Sequence, residues 1–209
     1  MFVLGVTGGI GCGKSTAASR MRDRGIPVLD ADQISHQVSA AGGRAESEII
    51  ESFGTEILGE DGAIDRGLLA ELVFHDRRAL DRLSLIVHAA VMDEIKQSLQ
   101  ILEAKKTKAV VLDVPIPVRD GFLDRCDLVL LIWASDEVRI PRLRERGLND
   151  EQIKERIAMQ MSHEEYQEIA NLEILNDGDL DELYAKVDRL LEDELASRGI
   201  RLQAPPDIS

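Results

Sequence analysis

The chain has 209 residues, 25 of them Lys or Arg and 39 Asp or Glu, giving a net charge of −14. Hydrophobic residues at 44% and charged residues at 31% are the balance of a folded globular protein, of a length that suits one domain with inserted pieces. So acidic a chain, with aromatics at only 3%, is poorly equipped to hold a nucleic-acid backbone, which needs a wide positive surface and rings for stacking.

In chain order, residues 2–7 are a short apolar run that predicts a first strand, followed by a glycine cluster and a helix over 14–24. Ile26-Pro27-Val28-Leu29 predicts a second strand leading into Asp30-Ala31-Asp32. Residues 46–105 are almost entirely helical in pattern, with a turn at Gly59-Glu60-Asp61-Gly62. Within them Leu80, Leu83, Val87, Ala90, Val91 and Glu94 or Ile95 recur at helical spacing and predict a buried face. Residues 108–113 and 128–133 are near-continuous apolar runs, as expected of strands covered on both faces. Two or three charged helices are expected over 136–170, then a last strand at Leu172-Glu173-Ile174-Leu175 and a helix from about 179 to 197. Strands alternating with helices predict an α/β fold, a doubly wound parallel sheet. The tail 203–209, with two prolines, is expected to fray.

Cys12 and Cys126 are too few for a disulfide framework or a zinc site. No apolar run approaches the ~20 residues of a membrane span, and the apolar start is too short for a signal peptide. The chain therefore reads as cytoplasmic, with no membrane or nucleic-acid partner. The sequence does not fix an oligomeric state, and a monomer is consistent with it.

The chemistry concentrates at Gly8-Gly9-Ile10-Gly11-Cys12-Gly13-Lys14-Ser15, which spaces two glycines, a lysine and a serine as a phosphate-binding loop does. Glycines let backbone N–H groups curl toward phosphate oxygens, and the following helix aims its positive end at the same anion. Lys14 supplies a charge for the β- and γ-phosphates, and the Ser15 hydroxyl can ligate Mg²⁺. Asp30 and Asp32 follow the second strand, where ligands of such sheets bind. Asp32 could cap the helix expected from about Gln33. Opposite a phosphate loop it is better read as the carboxylate that takes a proton from an attacking hydroxyl. Asp113 ends the third strand and suits a Mg²⁺-holding acid, directly or through water. Arg139, Arg142, Arg144 and Arg146 crowd eight residues of an acidic chain, a local positive patch able to stabilise phosphoryl transfer. Arg142 and Arg146, four apart on one helical face, are the preferred pair. His88 lies among apolar neighbours and reads by itself as a core residue. Cys12 sits where a helix N-terminus could lower its thiol pKa, although a spacer role is preferred.

Val6-Thr7-Gly8-Gly9-Ile10-Gly11-Cys12-Gly13-Lys14-Ser15-Thr16 and Leu29-Asp30-Ala31-Asp32 together resemble the bacterial dephospho-coenzyme A kinase family. The likeness runs from about residue 3 to 190. Gly62-Ala63-Ile64-Asp65-Arg66, Val73-Phe74, His88, Arg156-Ile157 with Gln160, and Asn176 also fit it. It implies a P-loop, nucleotide-kinase-like fold and ATP-dependent phosphorylation of the ribose 3′-hydroxyl of dephospho-coenzyme A, with Mg²⁺. As implied, one domain over 1–202 has its core at about 1–45, 106–135 and 171–200. A helical substrate region is inserted at about 46–105 and a lid at about 136–170. Gly11, Cys12, Gly13, Lys14, Ser15, Thr16, Arg142, Arg146 and Asn176 would bind ATP. Asp32, His88 and Asp113 would face the acceptor, and Asp32, Lys14 and Arg142 would be catalytic. Ser15, and Asp113 through water, would hold Mg²⁺. The chain departs from the family's usual pattern at Ile116 to Arg119, at Ala89, and at Arg139, Tyr166 and Asn171. The altered segment 115–119 keeps in view a P-loop kinase for a nucleoside, nucleotide or sugar acid, while a non-catalytic ATP-binding regulator is a further reading that the intact Lys14, Ser15, Asp32 and lid arginines argue against.

Overall fold

Five strands pair side by side in one parallel sheet: β1 (Phe2–Thr7), β2 (Val28–Asp30), β3 (Ala109–Asp113), β4 (Leu128–Trp133) and β5 (Leu172–Leu175). Their order is β2-β3-β1-β4-β5, which puts β1 at the centre. The structure is a computed structural model in which residues 1–114 and 121–204 are described. The departures at Ile116 to Arg119 and the tail from 205 lie outside the described residues.

β1 and β3 are buried along their whole length, which is why their sequences run apolar instead of alternating. On one face Leu4, Val6, Val111, Leu130 and Ile132 pack against α1 (Lys14–Asp23) and α9 (Leu180–Ala196), through Met21, Val187 and Leu191 among others. Buried Arg20 and Arg24 tie these two helices, both pairing with Asp188, at 2.6 and 3.0 Å. On the other face Leu131 and Trp133 cluster with Cys12 and Tyr166. Tyr166 belongs to α8 (His163–Ile169), the third of three helices after β4, with α6 (Asp136–Glu145) and α7 (Asp150–Ala158). β5 is an edge strand. Asn176 N–H bonds to the Trp133 carbonyl at 2.7 Å, so by strand alternation the Leu175 carbonyl points off the sheet edge, where Lys186 donates to it at 2.8 Å.

The chain groups into two compact units, one of residues 1–30 with 103–209 and one of 31–102. The second is helical: α2 (Ala31–Val38), α3 (Glu46–Phe53), α4 (Arg66–Phe74) and α5 (Arg77–Ala104). The expected turn near residue 60 exists, closed by a bridge between Leu58 and Ile64. Asp65 starts α4 by accepting the N–H groups of Gly67 and Leu68 at 2.7 and 3.1 Å. The buried stripe of α5 is Ala79, Ile86, Ala90, Val91 and Ile95. Leu80 is exposed, not buried as expected. Weighting by size favours leucines, but the helices packed alongside decide which face is covered, and small Ala79 lies on it. Among the described residues no helix is long and apolar enough to cross a membrane.

Candidate active site

The loop between β1 and α1 brings most of the sequence-selected residues together. Gly11 and Gly13 have φ of +79° and +92°, a backbone that residues with a Cβ rarely adopt. At Gly13 a side chain would also strike the amide nitrogen of Asn176, and at Gly11 it would press on Leu143 at 3.0 Å. The close approach is used: the Asn176 side-chain amide donates to the Cys12 carbonyl at 2.8 Å, and the Ile10 N–H donates to the Gln160 side-chain carbonyl at 2.8 Å. The loop is thus braced from both sides by residues far away in sequence.

Lys14 opens α1, and its ammonium forms an ion pair with the buried carboxylate of Asp113. β2 and β3 are in register so that Asp30 and Asp113 are neighbours at the carboxyl end of the sheet. Ser15, in the first turn of α1, is exposed. Asp32 is exposed too, and the helix there begins at Ala31, so it lies inside the first turn and does not cap it. His88 sits half-buried on α5. Both Asp32 and His88 belong to the second unit, while the loop, Asp113 and the arginines belong to the first.

The four arginines divide. Arg139 Nε bonds to Asp136 at 2.7 Å, and Arg144 Nε to Asp150 at 2.7 Å. Among the described residues no carboxylate lies within ion-pairing distance of Arg142 or Arg146. Arg142 instead donates to the backbone carbonyls of Asn176 and Gly178, both at 3.1 Å. Arg142 and Arg146 line a cavity of about 280 Å³ together with Gly11, Gly13, Thr16 and Asn176. Gly178, Asp179, Leu180 and Leu183 complete its wall. The sequence reading passed over these four; Asp179, capping α9 ahead of the apolar pair Leu180 and Leu183, was the available signal.

Cys12 corrects an expectation. It is fully buried, and burial pushes its thiol up from the ordinary value, against a smaller opposing effect of the Arg139 guanidinium. Desolvation outweighs the opposing hydrogen bonds and the Arg139 charge here. Its Sγ lies 4.0 Å from the Ala134 carbonyl, under the loop, as the preferred spacer role requires.

A parallel sheet in this order, with a glycine loop entering a helix at the end of its central strand, defines a P-loop kinase fold. The sequence matches the family model described as dephospho-CoA kinase over residues 2–182. The chain belongs to the dephospho-CoA kinase family. It is 40% identical to the dephospho-CoA kinase of Aromatoleum aromaticum over 191 residues, 90% of this chain and 92% of that one. It is 38% identical to that of Anaeromyxobacter dehalogenans, over 99% of both chains. Among solved structures, TT1252 from Thermus thermophilus superposes with a TM-score of 0.75 at 34% identity, covering 94% of this chain and 97% of that one. Dephospho-CoA kinase from Campylobacter jejuni gives 0.71 at 26%, covering 95% and 98%.

Proposed function

We propose that the chain is a cytoplasmic kinase that transfers the γ-phosphoryl group of ATP to the ribose 3′-hydroxyl of dephospho-coenzyme A, releasing coenzyme A and ADP. Family membership supports the reaction. The observation that carries the assignment of residues is the cavity in which Gly11, Gly13, Thr16, Asn176, Arg142 and Arg146 converge.

In this reading the backbone N–H groups of Gly11 to Thr16 receive the phosphates at the positive end of α1. Lys14 leaves Asp113 for the β- and γ-phosphate oxygens. Asp113 and the exposed Ser15 hydroxyl are hard oxygen donors of the kind Mg²⁺ takes, so the residues present fit the ion. Bound there, Mg²⁺ would neutralise charge on the phosphates. Asp32 accepts the proton of the 3′-hydroxyl as that oxygen bonds to the γ-phosphorus and the bond to the β–γ bridging oxygen breaks. Arg142 and Arg146 exchange backbone carbonyls and water for the charge that spreads over the transferred group. His88 would contact the acceptor.

The test is ADP release, coupled to a readout, across a panel of dephospho-coenzyme A, nucleosides, nucleotides and sugar acids. Dephospho-coenzyme A should be turned over, with a product heavier by one phosphoryl group. Turnover of another acceptor in its place, or nucleotide binding without turnover of any, would overturn the reading.

A further inference from the structure

Arg139 has no part in the roles assigned above, and it does not line the cavity shared by Arg142 and Arg146. It is nonetheless a buried guanidinium, only 6% exposed. Its surroundings are those of a supporting plate for the glycine loop. A Cβ added at Gly9 would lie 3.0 Å from its terminal nitrogen, and one added at Gly11 would lie 3.1 Å from its Cβ. Its guanidinium carbon stands 4.7 Å from the centre of the Trp133 ring, and that ring stacks on His163 with centroids 4.5 Å apart. Arg139 is therefore packed between the end of β4 and the loop.

Its charge is only partly neutralised. Asp136 engages Nε from one side, and that carboxylate side chain is 58% exposed, so water weakens its field. One terminal nitrogen lies against the loop at Gly9. A buried charge acts through less screening than a surface one, so this cation raises the potential of the amide cradle from behind. Leu143, one turn along α6, touches Gly11 as Arg139 does but brings no charge.

We propose that Arg139 is a positioning residue for ATP: it backs the phosphate loop at Gly9 and Gly11 and adds a fixed positive charge beneath the phosphates without touching them. The inference rests on the reading of the chain as an ATP-dependent kinase. It differs from the role of Arg142 and Arg146, which meet the nucleotide from the cavity side.

Calorimetric titration of ATP into the full-length protein, with steady-state kinetics alongside, tests it. Arg139→Gln should weaken ATP binding and raise KM for ATP about tenfold, leave kcat within about threefold, and leave KM for dephospho-coenzyme A nearly unchanged. Arg139→Lys, which keeps the charge and loses the planar stack, should stay within about threefold of the parent in ATP affinity. Leu143→Ala should lower the melting temperature while holding ATP affinity within about threefold. Unchanged ATP affinity in Arg139→Gln overturns the proposal, as does an equal loss in Leu143→Ala, which would assign the effect to packing. If Arg139→Gln does not fold, Arg139→Lys decides: retained affinity supports the role of charge, and a tenfold loss overturns it. A parent protein that binds no ATP would sink the kinase reading itself, a different result from a parent that binds and a variant that binds equally well.

Discussion

The two compact units hold their candidate site residues differently. In the unit that carries the glycine loop several of these groups are already engaged: Lys14 with Asp113, Asn176 with the Cys12 carbonyl, Gln160 with Ile10, Arg142 with two backbone carbonyls. In the helical unit Asp32 is exposed, and large apolar side chains face outward, Phe74 at 84% and Leu85 at 71% exposure. Asn176 and Gln160 fix the loop backbone in advance, which lowers the cost of binding, whereas Lys14 and Arg142 would exchange their present partners for the ligand. Asp32, Phe74 and Leu85 leave part of the helical unit's surface uncommitted. Preorganisation is concentrated in the glycine loop.

Substitutions can break this contrast or sharpen it. The largest effect is expected from Lys14→Met, which should lower kcat/KM for ATP about a thousandfold in the ADP-release assay, because a positive charge on the phosphates is lost. A loss below tenfold would mean that the engaged unit is not where catalysis is concentrated. Asp32→Asn should lower kcat about a hundredfold, the range of a positioned base. Its ATP dissociation constant should move by less than about twofold, since the carboxylate is assigned to the acceptor side. Asn176→Ala leaves the Cys12 carbonyl buried without its partner and should cost about 1–3 kcal/mol in denaturant unfolding.

The engaged unit should also respond to alkaline pH. Burial raises the Cys126 thiol from 9.0 to about 11. The folded state favours the neutral thiol, so this contribution is fully present below pH 9.0 and is lost as pH rises toward 11. Chemical denaturation should show stability falling by about 1–2 kcal/mol across that window, and Cys126→Ala should flatten the fall. The smallest effect is expected in the other unit, where Phe74→Ser should change stability by no more than about 0.5 kcal/mol, given its exposure. A much larger loss would show that this surface is not as uncommitted as its exposure implies.

The sheet and the loop were legible in the sequence because their causes are local. Apolar runs such as 128–133 have few alternatives to a strand buried on both faces, and the glycines of the loop are demanded by backbone geometry that no other residue meets cheaply. What could not be read depended on partners distant in sequence. Helical spacing singles out Arg142 and Arg146 from the arginine patch, but not that Asp136 and Asp150 engage the other two. For Cys12 the sequence shows the nearby helix N-terminus but not the burial beside Ala134 and Tyr166 that removes the thiol from water and raises its pKa. The face of α5 turned on a small alanine, Ala79, that carries little weight in a hydrophobic pattern. In each case the missing information was the neighbour.

The sheet ends at a strand of only four residues, and the outward carbonyl of Leu175 is already taken by Lys186. An open edge is an invitation for a second backbone to continue the ladder, and repeated continuation is how soluble chains turn into fibrils. A single ammonium laid over that carbonyl, on a strand too short to template a long pairing, closes the invitation from within the chain. The colloidal behaviour of the protein at high concentration is therefore written partly into one lysine of its last helix.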